Sequence, residues 1–411
     1  MRTLDAYLQA DLAGHLILRD SGRMVFQYAQ EWLDDPQAVA LSHSLPLRRE
    51  PFPQRLCAPF FGGVLPEGNS RAVLGRLLGV SPENDFAFLE AVGGECAGAI
   101  CLLPSGCHPD ELGCHLRPLR STEVGELLAE LPQRPLLAGT DGYRMSLAGA
   151  QHKIALAVDG DDYFLPLGAA PSTHILKPAI PEYEGVVFNE AFCLELAAAS
   201  GLATAACTVK QSSGIDYLLV ERFDREHEGG VIRRIHQEDF CQALGVRSEI
   251  KYQSEGGPGL AQCFALVRDV SAAPVIDIGR LLDAVLFNTV IGNHDAHVKN
   301  FAWLRHRNGR ARMAPLYDVV CTVAYPALTS RMAMRIGRAR ESDRVGRSDL
   351  QRLAKDCGLN PSLVLQRARE LTESVIDAVD QVEAPHVASR QAAAVVKQRG
   401  ERLARRLHRA A

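Results

Sequence analysis

The pattern of hydrophobic and polar positions changes character along the N-terminal part of the chain. Residues 1 to about 60 hold short alternating runs separated by polar turns, and this alternation predicts β-strands. Farther along, apolar positions recur at helical spacing in "LPEGNSRAVLGRLLGV", "DFAFLEAVGG" and "STEVGELLAEL". A loop-rich stretch, "LPSGCHPDELG", precedes the last of these segments. This part of the chain is therefore predicted to be β-rich with helices.

Beyond residue 140 the pattern predicts a small antiparallel sheet that carries one helix. Two apolar runs flank Asp159 and Gly160, and an Asp-Gly pair in that position is a strong hairpin signal. Further strands are predicted at "THILKP", "CTVKQ" and "YLLVERF". A helix that ends at Gly201 is predicted over "GVVFNEAFCLELAAASGL". Helical periodicity dominates the remainder of the chain.

These segments together predict an α+β fold built from three parts. We expect an N-terminal β-rich subdomain over residues 1–140 and a small lobe with an antiparallel sheet over residues 141–225. A helical lobe is expected over residues 226–411. The length of 411 residues supports this division, because it exceeds what one hydrophobic core usually organises.

Composition narrows the class of protein. The chain is 47% hydrophobic and 23% charged, which is typical of a folded protein. No apolar run approaches the roughly 20 residues that span a bilayer, and the start lacks the layout of a signal peptide. We therefore expect a cytoplasmic protein without a membrane segment. The 11 cysteines are scattered without a CxxC pair, which predicts buried reduced thiols.

Charge is unevenly distributed along the chain. The formal net charge of −4 predicts no general attraction to nucleic acid. The C-terminal tail is nevertheless basic, and its simplest interpretation is a solvated helix face, with phosphate contact as the alternative. Its charged residues are the bases Arg390, Lys397, Arg399, Arg402, Arg405, Arg406 and Arg409 and the acid Glu401.

The candidate chemistry begins in the polar segment "HDAHVKN", which follows a long apolar helix. Two apolar strands come next, and we predict a hairpin whose turn residues are Asn308 and Gly309. In that register Asn300 faces Tyr317. The acid that follows Tyr317 is then expected to lie close to the polar segment.

Asp295, Asn300 and Asp318 are thereby expected to converge. A carboxamide and a carboxylate supply the hard oxygen ligands that Mg²⁺ prefers when it also binds phosphate. Asp295 would remain available to orient a hydroxyl nucleophile and accept its proton. His297 could donate a hydrogen bond to the transferring phosphate. This division of roles favours phosphoryl transfer.

Two other interpretations of the same segment remain open at this point. A zinc site made by His294, His297 and Asp318 would explain the histidines but leave Asn300 without a role. Alternatively, the segment is a polar helix end without chemistry.

The strand "THILK" ends in Lys177, an unusual residue on an apolar strand unless an anion lies nearby. On its own, Lys177 would be interpreted as an edge-strand or snorkelling lysine. A kinase requires a strand lysine for the nucleotide phosphates and an acid on a neighbouring helix to hold it. The following helix offers Glu190 and Glu195 for this purpose.

A phosphate-covering loop is expected just before this strand, in "MSLAGAQHK". The segment contains one glycine and matches neither common phosphate-loop motif, so a surface turn is the alternative. Its small residues would let backbone amides approach phosphates. They are Ser146, Ala148, Gly149 and Ala150. Downstream, the strand "YLLVERFDR" ends near Glu221 and Phe223, where the backbone could bind an adenine edge, although an ordinary charged strand end is equally consistent.

The order of these motifs resembles the HipA family of bacterial serine/threonine kinases, the toxins of toxin–antitoxin pairs. The N-terminal segment "FFGGVLPEGNSRAVL" is similar to the first domain of that family. The other matching motifs are "SLAGAQHK", "HILKP", "NEAF", "VERFDR", "QEDFCQALG", "KYQSEGGPG", "HDAHVKNF", "PLYDVV" and "MAM". The resemblance implies a protein-kinase-like bilobal fold with an added N-terminal subdomain.

The resemblance also implies roles for individual residues and two cofactors, ATP and Mg²⁺. Asp295 would be the catalytic base with His297 beside it, and Asn300 and Asp318 would bind magnesium. The implied ATP contacts are Lys177, the phosphate loop of Ala148, Gly149, Ala150 and Gln151, the hinge residues Glu221 and Phe223, and Lys299. Glu190 would pair with the lysine, and Ser146 would be an autophosphorylation site whose modification silences the kinase.

The partners implied by the resemblance are proteins. Substrates in the family are proteins of translation, notably aminoacyl-tRNA synthetases. A HipB-like helix-turn-helix antitoxin binds the kinase and an operator, so the basic tail would touch operator DNA only within that complex. The alternatives are a kinase-fold enzyme acting on a lipid or small molecule, and a catalytically weak co-repressor.

Two departures from the family pattern bear on these expectations. The family often has Thr-Asp-Gly-His where this chain has "HDAH", which keeps the aspartate and the second histidine. Asp318 is followed by Val319 and Val320, whereas ordinary protein kinases have Phe-Gly there. Control by a flipping segment of that kind is therefore not expected.

Overall fold

The computed structural model of the protein describes residues 1–306 and 309–408, so the turn residue predicted at Asn308 lies outside the described residues. The chain divides into two compact units. The first comprises Met1–Pro178, Lys210–Glu249 and Trp303–Ala311. The second comprises Ala179–Val209, Ile250–Ala302 and Arg312–Ala411. The boundaries predicted near residues 140 and 225 stay predictions.

The N-terminal residues of the first unit form a five-stranded antiparallel sheet, as the alternating pattern predicts. Its strand order is β4-β3-β2-β1-β5. Helices α1 to α4 share a hydrophobic core with the sheet, rich in buried phenylalanine. The elements are β1 (Arg2–Leu8), β2 (Asp11–Leu18), β3 (Met24–Tyr28), α1 (Gln30–Asp34), β4 (Phe52–Pro53), α2 (Gln54–Gly63), α3 (Gly68–Leu78), α4 (Asp85–Val92) and β5 (Ile100–Pro104).

A six-stranded sheet with the order β10-β11-β9-β7-β8-β6 carries the predicted phosphate loop and lysine strand. One face covers a second core that includes Leu128, Leu156 and Tyr217. The elements are β6 (Cys114–Leu119), α5 (Ser121–Glu130), β7 (Ile154–Asp159), β8 (Asp162–Gly168), β9 (His174–Pro178), β10 (Cys207–Ser212) and β11 (Ile215–Glu221).

The sheet differs from the sequence analysis at one turn and at one additional strand. Asp159 pairs with Asp162, so the turn residues are Gly160 and Asp161, one position later than predicted. Strand β6 was not predicted, because all its residues but the last are exposed and it lacks the alternation that marks a half-buried strand. It joins the sheet edge by pairing with β8.

The rest of the first unit is built from short elements. Strands β12 and β13 form a hairpin, and a three-stranded sheet has the order β14-β15-β16. Inside the unit, the ring of Phe240 stacks on that of Trp303 with centroids 5.1 Å apart. The elements are β12 (Arg225–Glu228), β13 (Val231–Arg234), β14 (His236–Asp239), α7 (Phe240–Ala243), β15 (Ala302–Arg305) and β16 (Ala311–Met313).

The second unit is helical, as the periodicity after residue 226 predicts. Helix α9 is the central element, and most of its C-terminal half is buried. It ends at Gly292, whose φ of +74° is a left-handed conformation that glycine adopts at low cost. The helices are α6 (Val186–Ala199), α8 (Leu260–Val270), α9 (Pro274–Ile291), α10 (Arg347–Asp356), α11 (Pro361–Val379) and α12 (Val387–His408).

The basic C-terminal tail is a helix whose cations are partly used inside the unit. Arg399 is buried, pairs with Asp343 and donates to the Thr289 carbonyl at 3.1 Å. Lys397 lies 2.5 Å from Asp380. Arg409 lies outside the described residues. These contacts give the tail a packing role as well as a charged surface.

The cysteines agree with the prediction of reduced thiols that are mostly buried. All 11 cysteines are free, and seven of them are buried. The buried thiols are Cys57, Cys96, Cys193, Cys241, Cys263, Cys321 and Cys357. Among residues 1–306 and 309–408, every helix is too short or too polar to cross a membrane.

Candidate active site

The predicted catalytic segment is a tight loop that starts where α9 ends. The backbone N–H of Asp295 donates to the side-chain oxygen of Asn293 at 3.1 Å. The N–H of His297 donates to the Asp295 carbonyl at 2.7 Å, and that of Asn300 to the His297 carbonyl at 2.9 Å. These local bonds fix the path of the backbone, so the side chains of the loop project from a defined frame.

Asn300 is partly exposed, and its carboxamide is oriented by the loop. The side-chain oxygen accepts a 3.2 Å hydrogen bond from the backbone N–H of His297. One lone pair of that oxygen is used in this way, and an amide oxygen has a second. The oriented oxygen therefore suits a hard cation such as Mg²⁺.

Asp318 is also partly exposed and has an unusual backbone conformation. Its φ of +52° lies in the left-handed region, which costs a residue other than glycine about 1 kcal/mol or more. The preceding residue, Tyr317, donates its hydroxyl to the Lys299 carbonyl at 2.6 Å. This bond joins the segment of Asp318 to the loop that carries Asn300. Strain of this kind is concentrated at functional sites.

The hairpin between the loop and Asp318 is paired one residue away from the predicted register. The hydrogen bond from the Ala314 N–H to the Ala302 carbonyl places these two residues opposite each other, whereas the prediction places Pro315 opposite Ala302. Asn300 lies in a short 3₁₀ turn, Val298–Asn300, and not on a strand. The predicted facing of Asn300 and Tyr317 is thus wrong in detail, and Tyr317 contacts Lys299 instead.

Asp295 carries an exposed carboxylate with one neighbour that was not predicted. The hydroxyl of Tyr252 donates to Asp295 Oδ1 at 2.7 Å. The Tyr252 ring also meets the ring of His297 edge-on, with centroids 5.2 Å apart. His297 itself is buried. Tyr252 lies in the motif "KYQSEGGPG", and nothing in the local pattern of that motif indicates which side chain it approaches.

His294 is engaged in the interior of the second unit. Its Nε2 lies 2.5 Å from the Ser342 hydroxyl, and its Nδ1 lies 3.2 Å from the Thr329 carbonyl. Burial lowers the pKa of His294 below its ordinary value. Within the described residues no three His, Cys, Asp or Glu side chains are grouped so as to hold a metal. The zinc interpretation therefore lacks the ligand cluster that it requires.

Two buried side chains support the loop and the Asp318 segment without having been predicted. Asn189 accepts from the Cys321 N–H at 2.8 Å and donates to the Cys321 carbonyl at 3.2 Å. Asp277, on the first turn of α9, accepts from the Arg312 side chain at 2.9 Å. Glu190, next to Asn189 on α6, is buried in the same unit. α6 and α9 thus hold the chain on both sides of Asp318.

The first unit brings the predicted phosphate loop and Lys177 together. Lys177 is buried on β9, where it lies opposite Leu218. Ile154, the first residue after the loop, lies opposite Leu176. The Gln151 side chain donates to the Pro178 carbonyl at 3.2 Å. The loop therefore ends beside the residue that the sequence analysis assigned to the nucleotide phosphates.

The phosphate loop is closed by its own lysine and held by N-terminal residues. Lys153 Nζ donates to the Ala148 carbonyl at 2.8 Å. The backbone N–H of Glu67 donates to the Gly149 carbonyl at 3.0 Å, and the Ser70 hydroxyl to the Ala150 carbonyl at 3.2 Å. The N-terminal region thus takes part directly in shaping the loop.

Ser146 is fully buried at the start of this segment. Its hydroxyl donates to the Val64 carbonyl at 2.8 Å, and its N–H donates to the Glu95 carbonyl at 2.7 Å. A phosphate on this hydroxyl would not fit while both bonds are made. The position is therefore compatible with modification only if the segment moves.

The predicted hinge residues flank a buried charge network. Glu221 is exposed and Phe223 is half-buried, whereas Arg222 and Arg225 are buried. The Arg225 side chain lies 2.6 Å from Glu95. Burial raises the pKa of Glu95, but nearby guanidinium groups outweigh it, so the net pKa is lowered. Burial also lowers the pKa of Arg225 to about 10.

Comparison with known proteins decides the family. A family model described as "HipA-like C-terminal domain" matches residues 145–382, and one described as "HipA N-terminal domain" matches residues 4–103. The chain belongs to the HipA family. This confirms the resemblance inferred from the motifs.

Two relatives match nearly the whole chain. "Putative kinase Y4mE" of Sinorhizobium fredii is 46% identical, and the match covers 93% of this chain and 92% of that protein. "Serine/threonine-protein kinase toxin HipA" of Shewanella oneidensis is 29% identical, with 92% of this chain and 89% of that protein covered. The family is thus one of kinases and kinase toxins.

A solved structure confirms the predicted fold class. A chain in the complex of Shewanella oneidensis HipA, HipB and operator DNA matches with a TM-score of 0.85 and 26% identity, over 98% of both chains. The protein therefore has the HipA fold, an α+β arrangement of antiparallel sheets and a helical part.

Proposed function

We propose that the protein is an ATP-dependent serine/threonine kinase that acts as the toxin of a toxin–antitoxin pair. The observation that carries the proposal is the loop with an exposed Asp295 and an oriented Asn300 carboxamide, joined to Asp318 through the Tyr317–Lys299 hydrogen bond. Membership of a family of kinases and kinase toxins supports it.

In the proposed reaction, Asp295 accepts the proton of an acceptor hydroxyl. The oxygen of that hydroxyl attacks the γ-phosphorus of ATP, and the bond between the γ-phosphorus and the oxygen that leaves with ADP breaks. His297, beside the base, would steady the loop and donate to the phosphate. Asn300 and Asp318 would hold Mg²⁺, for which their oxygens are suitable ligands. Magnesium bound there would offset the negative charge of the phosphates.

The first unit would bind the nucleotide. Lys177 would pair with its phosphates, and the amides of Ala148, Gly149, Ala150 and Gln151 would cover them. Glu221 and Phe223 would contact the adenine from the segment after β11. Two residues of the second unit keep the roles that the resemblance implies, Lys299 as a further nucleotide contact and Glu190 as the acid for the lysine. These assignments follow the family motifs residue by residue.

Ser146 is proposed as the autophosphorylation site that silences the kinase. Its hydroxyl would become available once the segment leaves Val64 and Glu95. A phosphoserine carries nearly two negative charges and would not return to the buried position. The phosphate loop would then lose the conformation that binds ATP.

The proposed substrate is a protein of translation, with an aminoacyl-tRNA synthetase as the first candidate, in the cytoplasm. A HipB-like helix-turn-helix antitoxin is the proposed partner, supported by the neighbouring structure in which HipA lies with HipB and operator DNA. Operator contact would occur only within that complex, through exposed cations of α12. Phosphorylation of a lipid or small molecule and a purely co-repressor role are the alternatives that the experiment below tests.

The experiment is label transfer from the γ-phosphate of ATP in the purified chain with Mg²⁺. We expect label on Ser146 and on casein as a probe acceptor, and we expect Asp295→Asn to lower both by about 100-fold or more. Ser146→Ala should lose the label on the chain but keep transfer to casein. Undiminished transfer by Asp295→Asn would contradict the proposed base. If neither the chain nor casein is labelled, the result would favour a lipid or small-molecule kinase or a co-repressor.

A further inference from the structure

The motif "KYQSEGGPG" has no role in the function proposed above. We propose that Tyr252, within this motif, is a positioning residue that holds the Asp295 carboxylate in the orientation that accepts the acceptor proton. The inference rests on the proposed function, because it concerns how the proposed base is oriented. Its basis is the 2.7 Å hydrogen bond from the Tyr252 hydroxyl to Asp295 Oδ1.

Asp295 needs an external group to fix its side chain. The carboxylate is exposed, and an exposed aspartate samples several rotamers. The Tyr252 hydroxyl reaches this carboxylate as a hydrogen-bond donor at 2.7 Å. Because the bond engages Oδ1, an acceptor hydroxyl would approach Oδ2. A base that is held in one orientation reacts faster than one that must find it.

Tyr252 is itself aligned with the catalytic loop through main-chain bonds. The N–H of Gln253 donates to the Ala333 carbonyl at 3.0 Å, and the N–H of Ala333 donates to the His294 carbonyl at 2.8 Å. Ala333 therefore links Gln253, which follows Tyr252, to His294, which precedes Asp295, through main-chain hydrogen bonds. The motif "MAM" supplies this bridge, which gives a second unassigned motif a structural role.

The glycines of the motif allow the chain to turn back at Tyr252. The N–H of Gly257 donates to the Tyr252 carbonyl at 3.0 Å. A Cβ on Gly257 would lie 2.1 Å from the Ile250 carbonyl oxygen, and one on Gly259 would lie 2.4 Å from the Gln253 side chain. A side chain on Gly257 would displace the loop backbone, whereas one on Gly259 would displace only the end of the Gln253 side chain. Gly257 is thus required for the fold that places the tyrosine.

The ring of Tyr252 is held from two sides. It meets His297 edge-on at 5.2 Å, and the Lys251 ammonium lies 5.6 Å from its centroid. Both contacts are favourable for an aromatic ring, and both persist if only the hydroxyl is removed. Tyr252→Phe therefore isolates the hydrogen bond to Asp295 from the packing of the ring.

The test is the single-turnover transfer of the γ-phosphate to casein by the purified full chain at increasing ATP concentration. We expect Tyr252→Phe to lower the maximal rate constant about tenfold while the half-saturating ATP concentration stays within about twofold. The matched control is Tyr183→Phe, which removes a hydroxyl from an aromatic pair of the same unit and should change neither quantity.

A double-mutant cycle separates positioning from a general structural role. In an Asp295→Asn background, Tyr252→Phe should cause no further loss of residual transfer, because the carboxylate it acts through is absent. An equal loss in both backgrounds would overturn the inference. So would an unchanged or increased rate in the single variant. If the wild-type chain transfers no phosphate, the proposed function fails, whereas normal transfer by Tyr252→Phe contradicts only the positioning role.

Discussion

His236 illustrates how burial sets the behaviour of a single residue. Its Nε2–H donates to the Leu41 carbonyl at 2.7 Å, and the side chain is buried. Burial lowers the pKa of His236 from 6.5 to about 4, with a smaller contribution from the Arg305 cation. The folded protein therefore keeps this imidazole neutral at a pH where the unfolded chain would protonate it.

The resulting pH dependence of stability can be measured. Because the folded pKa is depressed, the stabilisation is fully present above pH 6.5 and is lost as the pH falls towards 4. Between pH 7 and pH 5 the wild-type chain should lose about 2 kcal/mol more unfolding free energy than His236→Gln. Urea unfolding at the two pH values checks this. An equal loss in both proteins would mean that His236 does not titrate as stated.

The residues with candidate chemistry could be identified from the sequence, whereas the residues that support them could not. Asp295, Asn300 and Asp318 could be proposed because their residue types and spacing match a known division of labour. Tyr252 and Asn189 could not, because tyrosine and asparagine occur in many local contexts and their partners lie 43 and 132 positions away.

At the scale of elements, the short segment between α4 and β5 joins two parts of the first unit. Its Glu95 side chain pairs with Arg225 at 2.6 Å, just beyond the end of β11. Its main-chain carbonyl accepts from the Ser146 N–H at 2.7 Å. One segment of the N-terminal region therefore supports both the proposed hinge and the phosphate loop. This makes the N-terminal region part of the proposed nucleotide site.

Glu95→Gln should test this connection. The substitution removes one of two buried carboxylates beside Arg225, the other being Asp224 at 3.2 Å, and the loss of a hydrogen bond to a charged group typically costs about 1.5–3 kcal/mol. We expect a lower unfolding free energy and a higher half-saturating ATP concentration. Urea unfolding and the label-transfer assay measure the two effects, and Glu126→Gln, at an exposed position of the same unit, is the control. Stability and ATP dependence equal to those of the control would contradict the prediction.

The elements themselves were largely predictable. The strands of both large sheets, apart from β5 and β6, and the helices α3 to α6 and α9 to α11 follow the alternating or helical pattern of apolar residues. Strand β6 was missed because an exposed edge strand carries no such pattern. The turn of the β7–β8 hairpin and the register of the β15–β16 hairpin each differ from the prediction by one residue, because dipeptide preference indicates a turn but does not fix its register.

At the scale of the whole molecule, the chain matches its HipA relatives over almost its full length. The match includes both the N-terminal and the C-terminal domain of the family. A toxin role requires both the phosphotransfer chemistry and a partner that restrains it. The prediction at this scale therefore concerns growth arrest by the chain and the relief of that arrest by a partner.

Expression of the wild-type chain in a bacterial host should arrest growth, and Asp295→Asn should remove the arrest at equal protein level. Co-expression of a small helix-turn-helix protein encoded beside this chain should relieve the arrest by the wild type. Colony counts and immunoblots provide the measurement. Growth arrest by Asp295→Asn would mean that toxicity does not depend on phosphoryl transfer.

The amino-acid sequence by itself determined most of the elements, the resemblance to the family, and the residues with candidate chemistry. Each of these is encoded in local periodicity or in motifs of a few residues. Only the tertiary structure decided that Tyr252 contacts Asp295, that Asn189 holds the chain after Asp318, and that Glu95 supports the phosphate loop. Such contacts depend on how distant segments pack, and local patterns contain no information about that packing.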